Sequence, residues 1–257
     1  REPVNTLSNL GFMLAGLYIL YNLTNESSFN EFSGLNKITI LYGVVVVYLG
    51  PGSMMMHGTN TEWGGWADNL SMVMYIILPW LYNCYKMSNW TTNTLLRVYF
   101  LIVFVYALMR GLFGNGMGIG LDLFGVSIGL WVITEFLYKF WSPSMRFISG
   151  FVGFLVMMLF GISPIEVIDN ISDYWWIILF WLPGILANKK PEGIRTYRWY
   201  FAGMIAYMSA FAIWLTGVPD SETCNPDTIF QAHGLWHLLT ALATIFFFYH
   251  YRSEKLI

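Results

Sequence analysis

Long apolar segments follow one another along almost the whole sequence, and this feature restricts the fold more than any other. A helix needs roughly 20 apolar residues to cross the hydrocarbon core of a bilayer. The pattern predicts an all-α polytopic membrane protein, with residues 1–257 forming a single integral membrane domain. The candidate spans are residues 5–23, 38–57, 66–84, 95–113, 119–139, 146–162, 173–188, 197–217 and 229–251.

The composition agrees with a membrane protein and argues against other classes. The chain is 56% hydrophobic and 11% charged, whereas a soluble domain carries about 25% charged residues. The net charge of -2 lacks the basic excess of a nucleic-acid-binding protein, so no nucleic-acid partner is expected. The two cysteines, Cys84 and Cys224, are too few for a disulfide framework.

The charges in the connections predict an orientation. When successive connections are assigned alternately to two sides, most lysines and arginines share the side of the C-terminus, and most acidic residues share the side of the N-terminus. The positive-inside rule then places the N-terminus outside and the C-terminus in the cytoplasm. The cationic side contains Lys37, Lys86, Lys139, Arg146, Lys189, Lys190, Arg195, Arg198, Arg252 and Lys255.

Two of the nine candidate spans are short, residues 146–162 and 173–188, and the second contains Pro183. Either segment could be re-entrant or interfacial, which would leave seven or eight true spans. Loss of both would keep the termini on opposite sides of the membrane, whereas loss of one would not.

Three of the four histidines are expected at one membrane level. By the predicted topology, His57 ends the second span on the non-cytoplasmic side, and His233 and His237 begin the last span on that side. The i, i+4 spacing of His233 and His237 puts both rings on one helix face, where they can share a metal. Three histidines with one open position form a catalytic zinc arrangement. We read His250, near the cytoplasmic end, as interfacial.

Two further polar residues are expected beside the histidines. Ser53 precedes His57 by one helical turn, and Asp68 follows a turn marked by Gly64 and Gly65. A carboxylate there could take a proton from an attacking water. The serine hydroxyl could bond that water or a developing oxyanion.

Blocks of sequence near both ends of the chain resemble the alkaline ceramidase family, and the last block is most similar to bacterial-type members. This family lies within a superfamily of membrane hydrolases that includes the progestin and adipoQ receptors and the Per1-like proteins. Residues of about 90–200 match only in being hydrophobic. The blocks are Glu2-Pro-Val-Asn-Thr-Leu-Ser-Asn-Leu10, Ser53-x-x-x-His57 with Asp68, and Gln231-x-His233-x-x-x-His237 preceded by Cys224-Asn-Pro-Asp227.

The resemblance implies an intramembrane hydrolase that cleaves the amide bond of ceramide or a related N-acyl lipid drawn from the bilayer. It implies Zn²⁺ held by His57, His233 and His237. Asp68 would then activate the water and Ser53 would assist. The same resemblance implies a core of seven spans, so residues 143–190 are expected to be an inserted helical hairpin.

The N-terminal block departs from the eukaryotic family pattern. Of the family's acidic calcium site, only Glu2 has a counterpart, and Cys224 matches a cysteine whose partner is absent. The chain starts at Arg1 without an initiator Met, so we expect that further sequence precedes it. Neither calcium nor the disulfide is expected for the chain as given.

A non-enzymatic role is the alternative. The protein would then be a receptor or a structural subunit of a membrane complex, with zinc as a structural clamp and the surplus helices facing partner subunits. A transporter is a weaker alternative, because the sequence has no inverted repeat and no paired broken helices.

Overall fold

A computed structural model describes residues 2–24, 30–218 and 228–256 of the chain. Two compact units are distinguished. We call Arg1–Ser71 with Gly193–Ile257 the terminal unit, and Met72–Glu192 the central unit.

The described residues are predominantly helical, and their only sheet is a two-residue antiparallel pairing. The first half of the chain contains α1 (Pro3–Ser8), α2 (Leu10–Thr24), α3 (Lys37–Thr59), α4 (Glu62–Lys86), α5 (Thr92–Phe113), a 3-10 helix (Asn115–Gly118) and α6 (Leu123–Phe140). The second half contains α7 (Pro143–Ile148), α8 (Gly150–Leu159), α9 (Pro164–Asp169), a 3-10 helix (Trp175–Trp181), α10 (Leu182–Leu186), β1 (Gly193–Ile194), α11 (Tyr197–Thr216), α12 (Ala232–Arg252) and β2 (Lys255–Leu256).

Six helical segments of the described chain are long and apolar enough to cross a membrane, so the prediction of an all-α polytopic membrane protein is confirmed. They are Pro3–Thr24, Lys37–Thr59, Thr92–Phe113, Leu123–Phe140, Tyr197–Thr216 and Ala232–Arg252. Each coincides with one of the nine predicted spans.

The other three predicted spans differ from these six. The third forms α4, which has 25 residues but is more polar, with Glu62 and Asp68 in its first turns. The sixth and seventh predicted spans contain only short helices, and the apolar ones among them are Gly150–Leu159 and Trp175–Leu186. At a rise of 1.5 Å per residue, ten residues cover about 15 Å, half of the hydrocarbon core. The insertion of residues 143–190 as a hairpin stays a prediction.

Local sequence signals fix both ends of α3. Asn36 accepts hydrogen bonds from the backbone N–H groups of Ile38 and Thr39, and the Thr39 hydroxyl accepts one from the Asn36 N–H in return. This capping box satisfies backbone donors that would otherwise lack partners. At the other end, Asn60 adopts a left-handed conformation with φ of 52° and terminates the helix. His57 consequently lies in the last turn of α3.

Small residues let the helices of the terminal unit approach closely. α2 packs against α3 and α12, while α12 also packs against α11. A Cβ atom added to Gly16 of α2 would lie 2.5 Å from the backbone nitrogen of Val47 in α3. Helix pairs in membranes rely on such close backbone packing, because lipid tails leave little hydrophobic drive between helices.

A buried ion pair joins the segment before α11 to the segment after α12. Nε of Arg195 donates to Oε2 of Glu254 over 2.8 Å, and both side chains are almost fully buried. The guanidinium group also lies over the ring of Tyr251, 4.9 Å from its centroid. Together with the β1–β2 pairing, this ion pair ties the C-terminal end of α12 to the start of α11.

The central unit contains its own buried carboxyl group. Glu135 of α6 is 2% exposed, and its Oε1 accepts a hydrogen bond of 2.9 Å from Nδ2 of Asn83 in α4. The same amide group donates to the Thr134 hydroxyl over 3.1 Å. A hydrogen-bonded partner reduces the cost of placing a carboxyl group at membrane depth.

Candidate metal centre

The terminal unit brings His57, His233 and His237 together. His57 comes from the last turn of α3, and the other two come from the first turns of α12. Their ring centroids are 4.6 Å apart for His57 and His233, 5.1 Å for His57 and His237, and 4.7 Å for His233 and His237. One potential ligand atom from each ring lies within 4.8 Å of the others.

This donor set fits a divalent transition metal. Three imidazole nitrogens within 4.8 Å of one another are a donor set that could hold Zn²⁺. Imidazole is a suitable ligand for zinc and also for copper, iron and nickel. His57 and His237 are buried and His233 is half-buried, so water has limited access. The three rings are therefore close enough to hold a metal compatible with Zn²⁺.

Glu2 fixes the orientation of the His57 ring through a hydrogen bond at Nδ1. Nδ1 of His57 lies 2.7 Å from Oε2 of Glu2, and the backbone N–H of Glu2 donates to the His57 carbonyl over 3.0 Å. Burial raises the pKa of Glu2, but hydrogen bonds from Asn5 and His57 outweigh it and leave that pKa below its usual value. The carboxylate is thus ionised and accepts the Nδ1 proton, which leaves Nε2 of His57 as the free lone pair.

Ser8 fixes the orientation of the His237 ring, also through a hydrogen bond at Nδ1. Its Oγ lies 2.8 Å from Nδ1 of His237 and 2.9 Å from the backbone carbonyl of Asn5. A hydroxyl has one proton, which goes to the Asn5 carbonyl because that oxygen can only accept. The serine oxygen must then accept the Nδ1 proton of His237, and Nε2 of His237 is again the free lone pair.

His233 has a different neighbour. The indole Nε1 of Trp214, on α11, donates to Nδ1 of His233 over 3.2 Å. Nδ1 of this ring is therefore an acceptor, whereas in the other two histidines it is a donor.

Ser53 and Asp68 form a pair next to His57. Ser53 is buried one turn before His57, and its hydroxyl hydrogen-bonds the half-buried Asp68 carboxylate, which also interacts electrostatically with His57. α3 and α4 approach closely here, since a Cβ atom on Gly52 would lie 2.5 Å from Cβ of Ser71. Asp68 is outside the three-ring cluster. The structure thus places all five predicted residues in one region, whereas their chemical roles stay a prediction.

Comparison with known proteins identifies the family. The sequence model of the ceramidase family matches residues 1–255. The chain belongs to the ceramidase family. No curated protein and no solved structure matches it.

Membership of the ceramidase family confirms the resemblance inferred from the sequence blocks. The match extends over the hydrophobic middle of the chain, including residues 143–190, where no block had been recognised. The four residues from Cys224 to Asp227 that precede the third block lie outside the described residues, as does Arg1.

The sequence did not assign Glu2, Ser8 or Trp214 to the site of this ceramidase-family protein, although Glu2 and Ser8 lie in the first of the blocks that resemble the family. One available signal was the run Asn5-Thr-Leu-Ser-Asn9, whose polar side chains open an apolar span. Asn5 and Asn9 are both buried. No signal distinguished Trp214 from the other eleven of the 12 tryptophans.

Proposed function

We propose that this member of the ceramidase family is an intramembrane zinc-dependent hydrolase that cleaves the amide bond of ceramide or a related N-acyl lipid. The observation that carries the proposal is the convergence of three histidines from α3 and α12 beside the Ser53–Asp68 pair. Water and the amide would give a fatty acid and a sphingoid base.

His57, His233 and His237 are the proposed ligands. A zinc ion at this position would lower the pKa of a water molecule towards about 7 and polarise the substrate carbonyl. Glu2 and Ser8 orient two of the rings, as carboxylates and hydroxyls do around metal-binding histidines.

Asp68 is the proposed general base. Its carboxylate is outside the ligand cluster but close enough to His57 to interact with it. It would accept the proton of the attacking water and later deliver that proton to the leaving amine. Ser53 donates to Asp68, so its hydroxyl can hold the carboxylate in place and contact the developing oxyanion.

A lipid substrate is supported by the apolar surface beside the site. Leu10 of α2 and Leu235 and Leu238 of α12 are exposed. They lie within a few residues of Ser8, His233 and His237, on helices long and apolar enough to cross the membrane. A hydrocarbon chain in the bilayer can therefore lie along these helices with its amide group at the histidines. From the loop charges, we place the site towards the non-cytoplasmic side.

A receptor or structural subunit with a zinc clamp is the rival proposal, with partner chains bound through residues 143–190. Structural zinc sites are usually closed by four protein ligands. Among the described residues, the cluster contains three side chains. Within the part of the chain that the structure describes, three ligands and a neighbouring carboxylate favour the hydrolase.

The test combines metal analysis with lipid hydrolysis by the purified full chain. His233→Ala should lose both bound zinc and release of fatty acid from ceramide. His250→Gln is the matched control, because His250 hydrogen-bonds the Thr196 carbonyl and is outside the cluster. Normal turnover by His233→Ala would contradict the proposal. An otherwise identical ester substrate would establish whether the amide is required.

A further inference from the structure

The hydrogen bond between Trp214 and His233 has a fixed direction. An indole N–H can only donate, so Nδ1 of His233, 3.2 Å from Nε1 of Trp214, must be the acceptor. In a neutral imidazole one nitrogen accepts and the other carries the proton. The proton of His233 is therefore on Nε2.

His57 and His237 have the opposite arrangement. Each donates from Nδ1, to Glu2 and Ser8 respectively, and keeps a lone pair on Nε2. Two of the three rings are thus in the form that binds a metal through Nε2. The third is in the other tautomer.

Neither nitrogen of His233 can bind a metal while this hydrogen bond persists. Binding through Nε2 requires the ring proton to move to Nδ1, where it would face the indole N–H, and two donors repel each other. Binding through Nδ1 requires the lone pair that the indole is using. In both cases the contact between Trp214 and His233 must break.

We propose, on the basis of the metal site inferred above, that the indole of Trp214 competes with a metal for His233, so that metal binding requires release of the indole. The Trp214 ring is half-buried, stacks on Phe211 with centroids 5.8 Å apart, and packs against Trp236 at 6.3 Å. These contacts keep the indole beside the site after release. Its N–H is then a donor next to the metal position, available to the carbonyl or hydroxyl oxygen of a lipid. Trp214 is a positioning residue for His233 in one state and a hydrogen-bond donor to the substrate in the other.

The affinity for Zn²⁺ tests this proposal without any measurement of activity. The detergent-solubilised full chain is titrated against a chromophoric chelator. Trp214→Phe removes the donor and should bind Zn²⁺ about 3- to 10-fold more tightly, the range expected when one competing hydrogen bond is lost. Trp199→Phe is the matched control on the same helix, because Trp199 packs against Phe246 and Tyr249 and is not at the histidines. Its affinity should equal that of the wild type.

Unchanged or weaker binding by Trp214→Phe would overturn the inference and leave the zinc site itself intact. A wild type that binds no Zn²⁺ would overturn both this inference and the proposed function. The wild type also provides a measurement that does not depend on folding of the variant. In a protein labelled with ¹⁵N at its 12 indole groups, one hydrogen-bonded N–H resonance should shift when Zn²⁺ is added. A spectrum unchanged by saturating Zn²⁺ would contradict release of the indole.

Discussion

Nδ1 of His57 lies 2.7 Å from Oε2 of Glu2, so a carboxylate just before α1 holds a histidine at the end of α3. Glu2→Gln should weaken Zn²⁺ binding by about 10- to 100-fold, because a neutral amide supports the Nδ1 proton of His57 less well. Competition with a chelator measures the change. Glu62→Gln, at an exposed site at the start of α4, is the control and should bind as the wild type does. Equal affinities for the two variants would exclude a role for Glu2.

Ser8 should also contribute to Zn²⁺ binding, because its hydroxyl orients the ring of His237, the other buried ligand. Ser8→Ala leaves the Nδ1 proton of His237 and the Asn5 carbonyl without the shared hydroxyl, and should weaken Zn²⁺ binding by about tenfold or more. Ser144→Ala, at an exposed position in α7, provides the comparison. If the loss were structural only, thermal stability of Ser8→Ala would fall while the zinc affinity of its folded fraction stayed normal.

Asp68→Asn should lower the rate of hydrolysis without lowering the amount of bound zinc. The variant keeps the shape of the side chain and should keep its bound zinc, because Asp68 is outside the ligand cluster. Loss of the general base should lower hydrolysis by about 10²- to 10⁴-fold. Fatty-acid release and zinc content are measured on one preparation. Loss of zinc together with activity would instead make Asp68 a ligand or a structural residue.

The histidine cluster could be predicted from sequence because it depends on simple regularities. The i, i+4 spacing of His233 and His237 fixes one face of one helix. Loop charges then placed His57 at the same end of the bundle. The hydrogen bonds around the rings could not be predicted, since Ser8 and His237 are 229 residues apart and meet only through tertiary packing.

The number of spans was harder to predict, because an apolar run does not reveal where a helix ends. The predicted span 146–162 is divided between α7 and α8, and the chain turns at Gly161, whose φ of 85° favours glycine. Pro164 then starts α9 in a new segment. α4 shows the converse case. It is a continuous helix long enough to cross the membrane, but its polar residues make it less apolar than the other spans.

Close packing between α2 and α3 gives a prediction about stability. Gly16→Ala should lower the free energy of unfolding by about 1–3 kcal/mol, because the new methyl group would collide with the backbone of α3 at Val47. Gly65→Ala in α4 has nothing within 4 Å of the added atom, and should raise stability by up to about 1 kcal/mol through helix propensity. Thermal unfolding in detergent compares the two. Equal stabilities would show that the α2–α3 contact tolerates a wider separation.

Removal and return of the metal test the central claim most directly. The purified wild type should contain one zinc per chain by elemental analysis and should release fatty acid from ceramide. Treatment with a chelator should abolish both, and stoichiometric Zn²⁺ should restore hydrolysis in the wild type but not in His237→Ala. Hydrolysis that persists at full rate after complete removal of the metal would contradict a zinc-dependent site at His57, His233 and His237.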